Sequence, residues 1–111
     1  MRNKYGNRKT TIDGIEFDSK AEGLRWLDLC LLQKNGNICK LERQVRIPLH
    51  GKGGPLKSAA GRQLHYVADF KYIDWDKDGL TIIEDKKGFE TPEFKLKRSI
   101  LSSMGIELLI T

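Results

Sequence analysis

The residues with the clearest chemical potential follow a short apolar run at residues 80–83. The sequence continues there with Glu84, Asp85, Lys86 and Lys87. The apolar run predicts a buried strand, and buried strands rarely carry four successive charges, because an unpaired charge is costly to remove from water. Side chains alternate along a strand, so Asp85 and Lys87 share one face. Glu84 and Lys86 share the other face, and the pattern leaves both pairs open as the functional one.

Either pair combines a carboxylate with an ammonium group about 7 Å further along the same face of the strand. A carboxylate oxygen is a ligand for a hard cation such as Mg²⁺. This combination suits phosphodiester hydrolysis, in which a metal ion activates water and a lysine stabilises the charge that develops on phosphate. An acid-x-lysine tripeptide also occurs at exposed strand ends, so the interpretation needs further acidic residues.

Asp69 is the second acid of interest, because it lies in the middle of a predicted strand over residues 64–73, where aspartate is disfavoured. A hairpin through the turn at 74–79 would place Asp69 opposite Asp85. Two carboxylates on adjacent strands, with Lys87 beside them, predict a site for one or two Mg²⁺ or Mn²⁺ ions. The alternative is a cross-strand ion pair of Asp69 and Lys87 without catalysis.

Two further polar residues are weaker candidates for the same site. Glu22 occupies the fourth position of a Ser19-x-x-Glu22 capping box, where glutamate is favoured for local reasons, but its carboxylate is also a candidate metal ligand from the first helix. Gln44 faces away from the apolar positions Val45 and Ile47 of a strand. It is expected to point either into the cleft or into water.

Basic residues are concentrated in three segments, and the net charge is +5. This distribution predicts contact with a polyanion, most simply DNA, although a solubilising surface explains the charge about as well. The segments are an N-terminal arm over residues 1–10, a glycine-containing flexible loop over 50–63 and the second helix. Their candidate DNA-binding residues are Arg2, Lys4, Arg8, Lys9, Lys52, Lys57, Arg62, Lys95 and Arg98, and Lys97 lies in the same helical stripe.

Length and composition are those of one ordinary domain spanning residues 1–111, with 39% apolar and 32% charged residues. No apolar run approaches the length of a membrane-spanning helix and no signal-peptide core is present, so a cytoplasmic location is expected. Cys30 and Cys39 lack the spacing of a zinc site. The sequence motifs for a nucleotide cofactor, zinc proteolysis and serine hydrolysis are missing, so neither a nucleotide cofactor nor these chemistries are expected.

The predicted elements begin with a hairpin over residues 11–17, which turns at Asp13-Gly14. A helix over 19–34 follows, with an apolar stripe at Leu24, Leu27, Cys30 and Leu31. The remaining predicted elements are a strand from 38 that ends at Pro48, strands at 64–73 and 80–87, a helix that begins at Thr91-Pro92 and a closing strand at 106–110. The order predicts an α/β protein with a small mixed sheet flanked by helices.

Several segments together resemble the PD-(D/E)xK nuclease superfamily, and more closely a family of small phage-encoded nucleases within it. The segments are KYGNRKT, FDSKAE, YVADF, EDKKGF-x-TPEFKLK and the closing GIELL. The likeness covers nearly the whole chain and is weakest at 50–63. It also extends to TnsA-like and archaeal Holliday-junction-resolving nucleases. Ala68-Asp69 replaces the Pro-Asp of the superfamily.

The resemblance implies a restriction-endonuclease-like core, in the order α-β-β-β-α-β after an N-terminal hairpin. It implies a metal-dependent DNA endonuclease from phage replication or recombination, acting in the bacterial cytoplasm, usually as a homodimer, with branched DNA such as a four-way junction as the expected substrate. The implied active-site residues are Glu22, Asp69, Asp85 and Lys87, with Gln44 as a weaker fifth. A non-catalytic DNA-binding protein and a replisome adaptor are the alternatives.

Overall fold

The computed structural model describes residues 9–111 of the chain, so the predicted arm residues Arg2, Lys4 and Arg8 lie outside the described part. Eight strands, two helices and a 3₁₀ turn follow one another along these residues. In chain order they are β1 (Thr10–Ile12), β2 (Ile15–Phe17), α1 (Lys20–Lys34), β3 (Ile38–Pro48), β4 (His50–Gly51), β5 (Gly54–Pro55), β6 (His65–Asp74), the 3₁₀ turn (Trp75–Lys77), β7 (Leu80–Asp85), α2 (Pro92–Ser103) and β8 (Leu108–Ile110).

The main sheet has four strands in the order β3-β6-β7-β8, and two smaller two-stranded sheets pair β1 with β2 and β4 with β5. β7 and β8 are parallel, with Asp85 opposite Ile110. Residues 75–79, which join β6 to β7, are too few for the crossover that parallel strands require, so these two strands run antiparallel. The prediction of an α/β protein with a mixed sheet and two helices is therefore confirmed.

The chain divides into two compact units, of which the first comprises residues up to Leu41 together with Tyr72–Thr81. Its first hairpin turns as predicted, because Asp13 and Gly14 both have positive φ, 50° and 78°, as a type I′ turn requires. The start of α1 is also as predicted. The Ser19 hydroxyl caps the helix by accepting a hydrogen bond from the Glu22 amide at 3.1 Å.

The apolar stripe predicted on α1 is not the face of the helix that is buried. Leu24, Leu27 and Leu31 are 48%, 36% and 58% exposed, whereas Gly23 and Leu29 are buried. The reason is a close approach of the first hairpin to the helix at Gly23, where the lack of a side chain leaves room for the hairpin residues. Tertiary packing, rather than the apolar stripe, therefore selects which face of α1 is covered.

Replacing Gly23 with alanine is expected to destabilise the protein, even though alanine is the better helix former. A Cβ atom at this position would lie 2.6 Å from Ile12 Cδ1 and 3.2 Å from Phe17 Cδ2. The helical preference of alanine is worth about 1 kcal/mol and crowding a packed core costs about 1–3 kcal/mol, so we expect a net loss of about 1 kcal/mol. Urea denaturation measures this change in the free energy of unfolding.

The control for this prediction is Ile12→Val, which removes the methyl group nearest to the added Cβ. In the Ile12→Val background, Gly23→Ala should cost less than it does in the wild type, because the two positions are in contact and their effects are coupled. Equal costs in the two backgrounds would contradict a crowding mechanism.

The second compact unit comprises Glu42–Lys71 and Ile82–Thr111. Its core joins the sheet to α2 through buried side chains, which are Leu49, Tyr66, Ala68, Phe94, Leu101 and Leu108. The predicted start of α2 is confirmed: the Thr91 hydroxyl accepts a hydrogen bond from the Phe94 amide at 3.0 Å, and Pro92 occupies the first helical turn. The buried core side chains hold α2 against the strands that carry the acidic residues.

Residues 50–63, predicted as a flexible loop, contain more regular structure than the sequence indicates. β4 and β5 form a short hairpin, and Lys57 bridges to Gln63. The Gln63 amide nitrogen contacts the carbonyl oxygens of three leucines, at 2.8 Å for Leu49, 3.0 Å for Leu56 and 2.9 Å for Leu64. The same three carbonyl oxygens also accept backbone hydrogen bonds at 2.9 Å, so this one side chain adds to the backbone pairing of the segment.

Cys30 and Cys39 are both free and partly buried. Burial, with a smaller contribution from Asp13, raises the pKa of the Cys30 thiol. None of the helices in residues 9–111 has the length and apolar content needed to cross a membrane.

Candidate functional site

Asp85 is the centre of a hydrogen-bond network at the end of β7, in the second compact unit. Its side chain is fully buried. One carboxylate oxygen, Oδ2, accepts a hydrogen bond from the Tyr66 hydroxyl. The other, Oδ1, accepts one from the backbone amide of Asp69 at 3.1 Å. A buried carboxylate needs such donors, because its desolvation is otherwise strongly unfavourable.

Tyr66 is a site residue that the sequence pattern did not single out. It belongs to the alternating apolar face of β6, and it is buried. Burial, followed by the hydrogen bond to Asp85, raises the pKa of Tyr66, so the hydroxyl remains a proton donor to the carboxylate. The sequence gives only a general indication of this role, because a buried tyrosine usually forms a hydrogen bond through its hydroxyl group.

Asp69 reaches the same network from β6. Its Oδ2 atom accepts a hydrogen bond from the backbone amide of Lys86 at 2.9 Å, while its own amide donates to Asp85. Together these bonds join the middle of β6 to the end of β7. Asp69 is partly exposed, so this side of the network is open to solvent.

Lys87 supplies the positive charge of the site. Its Nζ atom lies 4.0 Å from Asp85 Oδ1, at the outer limit of an ion pair, and 4.6 Å from the centroid of the Phe94 ring. The side chain is 26% exposed. An ammonium group placed over an aromatic face is held by a favourable electrostatic interaction, which here directs it towards the acid.

The second acid-lysine pair has different surroundings. Glu84 is fully buried, and its Oε2 atom accepts a hydrogen bond from the Thr111 hydroxyl at 3.1 Å, beyond β8. Lys86 contributes its backbone amide to Asp69 rather than an ammonium group. The geometry therefore favours Asp85 and Lys87 as the functional pair.

The two weaker candidates, Glu22 and Gln44, belong to different compact units. Glu22 belongs to the first compact unit, where it is 4% exposed and its Oε2 atom accepts a hydrogen bond from the Asp18 amide at 3.2 Å. Gln44 lies in the second unit, is exposed, and has a φ of 53° within β3. A positive φ is uncommon for a non-glycine residue in a strand and occurs at bulges, where a side chain is redirected.

The predicted DNA-binding residues of the described part are mostly exposed. Lys9 pairs with Glu16 at 3.3 Å, and Arg98 lies 3.8 Å from Glu90. Lys97 is different, because its side chain is only 29% exposed and its Nζ atom donates to the carbonyl oxygen of His65 at 3.3 Å. The exposed basic residues are Lys9, Lys52, Lys57, Arg62 and Lys95.

Two acidic residues of this network, Asp69 and Asp85, are candidate ligands for a metal ion. No group of three or more His, Cys, Asp or Glu side chains within residues 9–111 is arranged to hold a metal ion. Mg²⁺ in phosphate-processing sites is commonly held by one or two carboxylates and completes its shell with water and substrate phosphate oxygens. Asp69 and Asp85 match this donor set, and Lys87 does not compete as a ligand.

The fold and the site thus define a mixed α/β protein with a carboxylate-lysine cluster between adjacent strands. The chain belongs to the DUF1064 family, described as a protein of unknown function, whose family model matches residues 2–109. Comparison with curated proteins and with solved structures gives no match for the chain.

Proposed function

We propose that this protein is a divalent-metal-dependent DNA endonuclease with Asp69, Asp85 and Lys87 at its active site. The observation that carries the proposal is the convergence of these three residues where the middle of β6 lies beside the end of β7, and one hydrogen-bond network there orients both acids. A cross-strand ion pair of Asp69 with Lys87 is the simpler structural explanation. Lys87 also lies 4.0 Å from Asp85, whose carboxylate already has two hydrogen-bond donors.

Each residue has a distinct role in the proposed reaction. Asp69 and Asp85 would hold Mg²⁺ or Mn²⁺, an ion that lowers the pKa of water and polarises the phosphate when bound. Tyr66 and the Asp69 amide orient the Asp85 carboxylate, in the way that outer hydrogen bonds orient metal ligands. Lys87 would hold the attacking water and stabilise the charge that develops on the phosphate oxygens.

The restriction-endonuclease-like topology is part of the proposal. Its support is the element order of α1, then β3, β6 and β7, then α2 and β8, with the acids on two central strands of the four-stranded sheet. Within this proposal Glu22 is a further metal ligand and Gln44 a further polar group of the active site. Both assignments rest on the resemblance to the nuclease superfamily.

The proposed substrate is branched DNA, such as a four-way junction in phage replication or recombination. Basic residues in the three segments favour contact with backbone phosphates, and no element within residues 9–111 is suited to reading base edges, so shape is the expected determinant of recognition. A homodimer is proposed because a symmetric pair of active sites would cut the two strands of a junction together.

Cleavage of a labelled four-way junction and of a linear duplex of matched sequence tests the proposal. With Mg²⁺ the wild type should cut the junction at least about tenfold faster than the duplex. Removal of the metal with EDTA should abolish cutting of both, since the acids alone cannot activate water at neutral pH. Restoration by added Mg²⁺ or Mn²⁺ is the control for irreversible damage.

Three outcomes are informative. Equal cutting of both substrates would retain the nuclease and reject junction selectivity. Cutting that persists in EDTA would reject the metal. Tight DNA binding without cutting under any metal condition would favour a non-catalytic DNA-binding protein.

A further inference from the structure

A recess of about 240 Å³ adjoins the acidic network in the second compact unit. It lies between the start of β6 and the first turns of α2. Two of its lining residues, Tyr66 and Lys87, also contact Asp85, so the recess and the proposed cleavage site share two residues. Its other lining residues are His65, Val67, Thr91, Glu93, Phe94 and Lys97.

Two ammonium groups from different elements border this recess. Lys87 follows β7, and Lys97 lies on α2. Lys97 forms an ion pair with Glu93 at 3.2 Å, which is an ordinary helical spacing, but the Glu93 side chain is 76% exposed and free to rotate into water. The bond from Lys97 to the His65 carbonyl instead holds the ammonium group against β6. An anion that enters the recess would therefore meet a fixed positive charge.

The recess is also lined by apolar side chains. The Tyr66 and Phe94 rings lie 6.2 Å apart at an interplanar angle of 47°, but both are buried, with 5% and 6% exposure. Val67 is the exposed apolar residue of the lining, at 44%. An apolar contact of this kind does not read the hydrogen-bonding edge of a base, so it has no sequence preference.

We propose that the recess binds one nucleotide of the cut strand, adjacent to the phosphate that is cleaved. Lys97 contacts the phosphate of this nucleotide, and Val67 contacts its sugar or base. The inference rests on the proposed nuclease function and narrows its substrate class. A nucleotide can enter the recess only after it leaves the duplex stack, and this costs least where the strand is already unpaired. The substrate is therefore DNA with an unstacked nucleotide at a branch.

Binding measurements test the recess independently of cleavage. Fluorescence anisotropy in EDTA gives the affinity for a labelled four-way junction and for a matched duplex over a range of salt concentrations. Lys97→Gln should weaken junction binding about five- to tenfold and reduce the salt dependence by about one phosphate contact. Lys77→Gln is the matched control, because Lys77 lies in the exposed 3₁₀ turn and its loss removes the same charge.

A second variant changes the shape of the recess and leaves the charge unchanged. Val67→Trp places a bulky ring in the recess at a position that is already exposed, so the fold should tolerate it. We expect weaker binding of the junction and unchanged binding of the duplex. Equal losses for Lys97→Gln and Lys77→Gln, or unchanged junction affinity for Val67→Trp, would overturn the inference. A wild type that binds in the expected pattern but never cuts would overturn the nuclease proposal alone.

Discussion

Asp85→Asn is expected to abolish DNA cleavage while DNA binding remains. The substitution keeps the shape of the side chain and removes the charge that holds the metal ion. Loss of an essential catalytic group lowers a rate on the order of 10³-fold or more, so cutting should fall to the limit of detection. The assay is cleavage of the labelled junction under Mg²⁺ titration, since a weakened site requires more metal than the wild type.

The fold of this variant needs a separate measurement. Both Asp85 oxygens accept hydrogen bonds, from Tyr66 and from the Asp69 amide, and an asparagine can accept only one of them. The other donor would face the new amide group, at a cost of about 1–3 kcal/mol. Thermal unfolding should therefore show a moderate loss of stability, while anisotropy should show retained DNA binding.

Glu84→Gln is the matched control, because Glu84 precedes Asp85 on the same strand and is equally buried. It accepts its hydrogen bond from Thr111, outside the proposed active site. We expect cleavage within about threefold of the wild type. If Glu84→Gln abolished cutting and Asp85→Asn did not, the functional pair would be Glu84 and Lys86, and the proposed site would be wrong by one position.

Lys87→Met is expected to have the second largest effect, a loss of about 10²- to 10³-fold in kcat with little change in KM. The ammonium group is proposed to act on charge that exists only in the transition state, so its removal should leave substrate binding nearly unchanged. Methionine retains a flexible apolar chain over the Phe94 ring and packs well against aromatic rings. Single-turnover cleavage at saturating enzyme measures the chemical step directly.

Two variants complete this experiment. Lys86→Met removes a neighbouring ammonium group while leaving the backbone amide that bonds Asp69, so activity should stay within about threefold. Lys87→Arg keeps the charge but replaces a compact ammonium by a planar guanidinium, and we expect it to restore only part of the rate. A Lys87→Met enzyme with wild-type kcat would reject the proposed role of the lysine.

The elements that the sequence predicted well are those set by contacts between near neighbours in the chain. Asp13-Gly14 specifies its turn because both residues tolerate positive φ. Ser19 and Thr91 specify helix starts because each hydroxyl bonds an amide three residues later. These signals act within four residues, so no knowledge of tertiary structure is needed to interpret them.

Features that depend on distant residues could not be predicted in this way. The leucines of α1 form a regular stripe, yet the helix is covered on the side of Gly23, because the first hairpin packs there. Nothing in the pattern of residues 50–63 identifies Gln63 as the side chain that orders the segment. These outcomes depend on which surfaces meet, and the local pattern carries no information about that.

The candidate site was predictable in part. Counting outward from the turn between β6 and β7 placed Asp69 near Asp85, and the structure joins the two through the Asp69 amide. The contribution of Tyr66 was not predictable, because an alternating apolar pattern describes where its ring lies and not where its hydroxyl points. Catalysis by these residues remains a proposal that the experiments above test.

The parallel pairing of β7 with β8 has a consequence for the order of assembly during synthesis. Asp85 lies more than twenty residues before Ile110, the position opposite it in the sheet. A ribosome adds roughly 5–20 residues per second, so β7 emerges at least about a second before its outer neighbour. A released chain that ends within α2 is therefore expected to expose an unpaired edge of β7 and to lack the β8 contacts beside the proposed active site. The proposed cleavage activity would require the chain to be made at least as far as β8.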